Sequence, residues 1–172
     1  NNNIGMGCKA LTALTSGYDN TAIGTFAGTQ LTTGHNNVLI GASAGKLLTT
    51  DDYNIFIGSE AGKNTAGSTW GNNVAIGQQT LKCNVSGFWN VALGCAALKA
   101  NTTDRNIAIG REAGTSTTSG GNNIFTGNRA GYYNITGGYN VYMGDYNAYK
   151  MCSGCYNVAL GYQAMCGSAT CS

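Results

Sequence analysis

The sequence predicts an all-β solenoid, a rod of stacked coils with one short parallel strand per coil, and three observations predict it. The segment Asn-x-x-x-Gly recurs ten times, starting at Asn3, Asn20, Asn37, Asn54, Asn73, Asn90, Asn106, Asn123, Asn140 and Asn157. Successive starts are 17 residues apart, except for one spacing of 19 after Asn54 and one of 16 after Asn90, so unit length is held while composition varies. Such a period is too short for two packed helices with their turns, which need about 33 residues. It suits a single β-coil.

Within each unit the elements follow in order. Position 2 is β-branched in every unit: Ile4, Thr21, Val38, Ile55, Val74, Val91, Ile107, Ile124, Val141 and Val158. Position 4 is Met, Ile or Leu in all units but one, where Thr126 stands. These side chains fit a pleated surface, so positions 2 to 4 form the strand. Position 5 is glycine throughout, from Gly7 to Gly161, and allows a sharp bend with positive φ. Position 8 is alanine in eight of the ten units. Coils stacked at about 4.8 Å would give a rod of about 48 Å in which each strand pairs with the coil on either side. The position-1 asparagines then lie one above another, where their amides bond along the stack or satisfy the turn backbone.

Position 3 carries no charge and includes Leu39, Phe56, Phe125 and Tyr142. It points to the face opposite positions 2 and 4, yet both faces are small or apolar. A 17-residue coil encloses only one of them. The other is expected to meet an identical chain, with Leu39, Phe56, Phe125 and Tyr142 at the interface of a homo-oligomer.

Composition bounds the function. Only 9% of the 172 residues are charged, net charge is +2, and there are 27 glycines and no proline. Neither a disordered tail nor a nucleic-acid-binding module has this balance. No apolar run approaches the roughly 18 residues of a membrane span, and Asn1-Asn2-Asn3 begins no signal segment. A first residue other than methionine reads as a processed product or a piece of something longer. Residues 1–172 are expected to form one repeat domain with a Tyr- and Cys-rich end over residues 132–172.

The segments Asn20-Thr-Ala-Ile-Gly24, Asn73-Val-Ala-Ile-Gly77, Asn90-Val-Ala-Leu-Gly94, Asn106-Ile-Ala-Ile-Gly110 and Asn157-Val-Ala-Leu-Gly161 resemble repeats in the head domain of trimeric autotransporter adhesins and in the repeat region of phage tail-fibre proteins. The likeness extends through Ala27-Gly28 and Leu31-Thr-Thr-Gly34 and covers essentially the whole chain. It implies a left-handed parallel β-roll, three chains around a common axis, and a fibre or adhesive role outside the cell or on a virion. Longer coils than the adhesin head's usual unit, seven cysteines and no membrane-anchor region in view favour a fibre over an autotransporter.

Catalysis is not expected. The single histidine, His35, sits in a turn with no recurring serine or acidic arrangement around it. Glu60 and Glu112 share position 7 but lie three coils apart, about 14 Å, too far to act on one glycosidic bond. A hexapeptide acyltransferase helix would need its apolar signature on three sides of each coil, and a calcium-binding nonapeptide repeat would need a column of aspartates. Neither pattern is present, so no cofactor or metal is implied.

Three surface columns remain. Position 10 is lysine in four consecutive units, Lys46, Lys63, Lys82 and Lys99, a basic stripe suited either to an anionic polysaccharide or lipopolysaccharide or simply to solvent. Position 14 is a Ser/Thr rank that bonds nearby backbone more cheaply than it binds ice. Position 12 carries the sequons Asn84-Val-Ser86, Asn101-Thr-Thr103 and Asn134-Ile-Thr136, candidate N-glycosylation sites if the chain is secreted by a eukaryotic cell. Other units place Leu14, Leu31 and Leu48 there, an apolar edge suited to docking.

Eight of the ten tyrosines fall between Tyr132 and Tyr162. Tyr132, Tyr133, Tyr139, Tyr146, Tyr149 and Tyr156 are candidate glycan contacts, since aromatic rings stack on sugar faces; capping of the last coils explains them equally. Cys152, Cys155, Cys166 and Cys171 permit a four-thiolate zinc site, but disulfides fit an extracellular chain better. Cys83 and Cys95 lie in adjacent units but different columns. Seven is odd, so one thiol is free or pairs with another chain. The expected function is a non-enzymatic extracellular or virion fibre with a mechanical or host-attachment role. The alternative is a carbohydrate-binding adhesive module using the tyrosine-rich end or the lysine stripe.

Overall fold

A computed structural model describes residues 2–66 and 71–167. Each unit contributes one three-residue strand: β1 Ile4–Met6, β2 Thr21–Ile23, β3 Val38–Ile40, β4 Ile55–Ile57, β5 Val74–Ile76, β6 Val91–Leu93, β7 Ile107–Ile109, β8 Ile124–Thr126, β9 Val141–Met143 and β10 Val158–Leu160. They form one parallel sheet in chain order, β1 to β10. The chain is a parallel β-solenoid, with no helix among the described residues.

Register is kept position for position even where unit length changes. Ile55 pairs with Val74 across the 19-residue unit, and Val91 with Ile107 across the 16-residue one. Length differences are therefore absorbed outside the strands, because a one-residue slip inside them would turn every side chain to the wrong face.

The bend after each strand depends on glycine. At Gly24 φ is +134°, and a β-carbon would stand 2.6 Å from the Gly41 carbonyl oxygen of the next coil. No side chain fits there, and the backbone region belongs essentially to glycine.

The asparagine column is a buried ladder. The backbone N–H of Asn37 donates to Asn20 Oδ1 at 3.0 Å, and its Nδ2 donates both to the same oxygen and to the Asp51 carbonyl at 2.9 Å. The pattern repeats along the stack, so each amide bonds its neighbours and fastens the returning turn as well. At the 16-residue unit the side-chain link shifts: Asn106 Nδ2 turns to Asn101 Oδ1, while Asn106 N still donates to Asn90 Oδ1.

The two faces of the strand are the reverse of those expected. Leu39, Phe56, Phe125 and Tyr142 are 0% exposed inside the single chain, so no sister copy can touch them. They form its core with position 8 and with Leu31, Leu48, Leu81 and Leu98. Positions 2 and 4 face outward, with Ile76 41%, Ile109 42% and Met143 43% exposed.

The reason is volume compensation across the coil. Phe56 stands with Gly62 at position 9 and Phe125 with Gly131, whereas Ala75 stands with Leu81 and Ala92 with Leu98; where both positions are small, as in Ala22 with Gly28, side chains of the adjacent coils, Leu39 and Leu11, fill the space. Phe125 also reaches beside Gly114 of the preceding unit, next to Leu98. Reciprocal sizes of this kind keep an interior close-packed, and an interface between flat faces would not require them.

Candidate functional site

The lysine stripe and two of the tyrosines, Tyr132 and Tyr149, belong to one column. At position 10 each carbonyl accepts a hydrogen bond from the position-11 N–H of the preceding coil: Gln30 to Lys46, Leu47 to Lys63, Asn64 to Lys82, Cys83 to Lys99, Ala100 to Thr115, Ser116 to Tyr132 and Tyr133 to Tyr149. The same rung thus carries Lys46, Lys63, Lys82, Lys99, Thr115, Tyr132 and Tyr149 in line along the rod. The two groups, separate in the sequence reading, share one edge.

Charge is concentrated at this corner. Lys9 and Arg129 at position 7, the four position-10 lysines and Lys150 at position 11 make seven of the nine cationic side chains. Glu60 and Glu112, also at position 7, are the only acids there; all five aspartates occupy other columns. Glu60 Oε1 pairs with Lys63 Nζ at 2.7 Å and Glu60 Oε2 with Lys82 Nζ at 2.7 Å, and Gln79 Nε2 donates to it at 3.0 Å. Lys63 foremost, then Lys82, holds the Glu60 carboxyl down at about 2. Lys46 Nζ lies 5.2 Å from the centre of the Phe26 ring, within cation–π range.

Further along the same edge the rings cluster. Tyr132 meets Tyr133 edge-to-face at 4.7 Å and Tyr149 at 5.4 Å; Tyr149 touches Tyr133 at 5.3 Å and Tyr146 at 5.6 Å. The Arg129 guanidinium, paired with Glu112, lies near the rings of Tyr132 and Tyr146. Partial burial, and after it the neighbouring Tyr133, raises the Tyr149 phenol above its ordinary value. Tyr146, Tyr149, Lys150, Gln163, Cys166 and Gly167 line a cleft of about 360 Å3. The position-7 residues Lys9, Glu60, Glu112 and Arg129 were not assigned to this site from the sequence. The signal was their three-residue offset from position 10, which a tight turn brings together, as in the Glu60–Lys63 pair.

Tyr139 and Tyr156 lie elsewhere. They occupy position 17, stacked on each other with centroids 5.0 Å apart at 11°. The six tyrosines therefore form two surfaces. The same second edge carries His35, whose Nδ1 lies 2.8 Å from Asp52 Oδ1 and whose ring stacks on Tyr18 at 4.7 Å and meets Tyr53 edge-on. It also carries Trp89, with the Arg105 guanidinium 4.8 Å from its ring centre.

Several expected sites are overturned. Asn84, Asn101 and Asn134 are 0% exposed; Asn84 Nδ2 donates to the Gly87 carbonyl and Asn84 Oδ1 accepts from the Gly87 N–H. Position 12 points into the core, so the folded chain offers no glycan acceptor there. For the same reason Leu31 and Leu48 are core residues and not a docking edge. Cys83, Cys95, Cys155 and Cys166 carry free thiols, as does Cys8, so no staple joins Cys83 to Cys95; their columns leave the chain by different edges. Cys152 is nine-tenths buried, and Cys171 lies outside the described residues. Among the described residues no cluster of His, Cys, Asp or Glu is placed to hold a metal ion, and no helix is long and apolar enough to cross a membrane. Thr15, Thr32, Thr102 and Thr118 donate their hydroxyls to carbonyls of the next coil.

Comparison with models of protein families, with curated proteins and with solved structures finds no match.

Proposed function

We propose that the chain is a non-enzymatic structural protein of an extracellular or virion fibre, which associates with copies of itself through the outer face of its sheet and supports attachment to a host or other surface. One observation carries this reading. Of the twenty outward positions on β1 to β10, eighteen are Ile, Val, Leu or Met, two are threonine (Thr21 and Thr126), and none is charged. They form a flat apolar strip roughly 45 Å by 10 Å. The largest apolar patch on an ordinary monomer is about 300–600 Å2 and is often functional.

The occupant that fits best is a second copy. The strip is ridged at the coil repeat of about 4.8 Å, and another chain carrying the same repeat nests with it along its whole length. The arrangement implied by the family resemblance, three left-handed rolls around one axis, puts such strips together; an open polymer is the other closed-surface solution. Native mass measurement tests the proposal. A trimer mass, or a ladder of masses, is expected for the unmodified chain, and monomer for Ile76→Lys/Ile109→Lys with its circular dichroism unchanged. A folded monomer at micromolar concentration for the unmodified chain overturns it.

A second reading, a carbohydrate-binding adhesive module, is favoured by the position-10 column, where lysines and tyrosines, all half-buried, share one edge remote in sequence position from the apolar strip.

A further inference from the structure

We propose that the position-10 edge is a single linear track for an acidic polysaccharide, whose carboxylate or sulfate groups pair with the lysines while its hydroxyl groups meet the tyrosine cluster. This rests on the adhesive reading just given and names its ligand class. Four features carry it.

The first is continuity: one repeated backbone rung aligns Lys46, Lys63, Lys82 and Lys99 with Tyr132 and Tyr149. The second is direction. The lysines repeat once per coil, about 4.8 Å, comparable to one sugar residue of an extended chain, so a linear polymer lying along the rod meets a cation at each step. The third is charge asymmetry. A molecule of net charge +2 places seven of its nine cations here with only two acids, and a one-signed edge raises the local concentration of a polyanion. The fourth concerns the rings. Tyr132, Tyr133, Tyr146 and Tyr149 pack against each other at edge-to-face and tilted angles of 36° to 73°. Their faces are thus largely occupied within the cluster. Nucleic-acid strands use stacking platforms of open ring faces, whereas sugar hydroxyls need hydrogen-bonding edges, and the cleft beside Tyr146, Tyr149 and Lys150 supplies them next to a cation.

Glu60 gives the proposal a sign. It occupies Lys63 and Lys82 together and so competes with an incoming acid for the middle of the track. Removing its charge strengthens binding on this account, an effect that damage to the fold would not produce.

The test uses the intact protein and polygalacturonate, with the fully methyl-esterified polymer as the same backbone without charge and an oligothymidylate as a polyanion without sugar-acid groups. Polygalacturonate binds, the ester binds far more weakly, and added salt weakens the complex. Lys46→Gln/Lys99→Gln lowers affinity about tenfold, Tyr133→Ala lowers it, and Glu60→Gln raises it severalfold, with thermal unfolding checked for each. Equal binding of acid and ester overturns the proposal while leaving the adhesive reading standing; no binding of either polymer overturns both. Tighter binding of the oligothymidylate, or a Glu60→Gln variant that binds no better, also overturns it.

Discussion

The phenyl ring of Phe56 occupies the space that a β-carbon on Gly62 would need, and Gly62 itself has a φ of +56°. The ring thus requires a glycine, and the left-handed backbone favours one, although Leu81 adopts a φ of +47° at the same position of the next unit. Gly62→Ala should lower stability by about 2–5 kcal/mol, from left-handed strain of about 1–2 and overpacking of about 1–3. The double variant Phe56→Ala/Gly62→Leu reproduces the Ala75–Leu81 arrangement of the next unit and should recover most of the loss. Denaturant unfolding of the two variants and of each single change provides the cycle; additive losses would contradict the compensation described for the core.

Thr117 is fully buried at position 12 with its hydroxyl unpartnered, and so is Thr65. Thr117→Val removes a desolvated hydroxyl while keeping the shape, and should stabilise by about 1 kcal/mol. Tyr142 is similar. Its hydroxyl lies near Asn157 without completing a hydrogen bond, and burial raises its pKa. Tyr142→Phe should leave the melting temperature unchanged or higher; a clear fall would mean that the hydroxyl has a partner.

The ladder is expected to behave in the opposite way. Asn123 Oδ1 accepts from Asn140 N and Nδ2, and Asn123 Nδ2 donates to Asn106 Oδ1 and the Gly137 carbonyl. Asn123→Ala leaves all four buried groups short of a partner, at a loss of about 3 kcal/mol. Chemical denaturation measures it, and a loss below about 1 kcal/mol would show that water replaces the amide.

Stability should also fall in acid through Glu60. Its carboxyl titrates near 2 in the fold, against 4.5 ordinarily. A depressed carboxylate stabilises fully above its unfolded value, and that contribution is lost as pH drops from about 4.5 toward 2. Melting curves across this window should separate the parent chain from Glu60→Gln, which lacks the drop; parallel curves would mean that the lysine pairs contribute nothing net.

Much of the fold was legible in the sequence because backbone requirements repeat identically. The invariant glycine at position 5, the β-branched position 2 and the asparagine starts each recur once per coil, and all three locate the strands correctly. What the sequence reading reversed was which face looks inward. Ile76 and Ala75 are both apolar, and period-two alternation marks a face only when one side is polar. The deciding pattern was relational: Phe56 with Gly62 against Ala75 with Leu81, a trade in volume between positions six residues apart. The same blindness affected position 12, where Asn84 and Leu31 look like different surfaces but occupy one interior column. The binding edge was half visible. Lys46 to Lys99 form an obvious run, but their continuity with Tyr132 and their partial neutralisation by Glu60 depend on how the turn folds positions 7 and 10 together.

Because the rungs run from coil to coil along the long axis, a pull applied at the two ends loads them one layer at a time and not all at once. Each layer that peels frees 17 residues of chain, roughly 50 Å of slack, while its neighbours stay closed. The rod would then yield in steps, lengthening many times over before it parts, and act as a shock absorber for whatever it tethers.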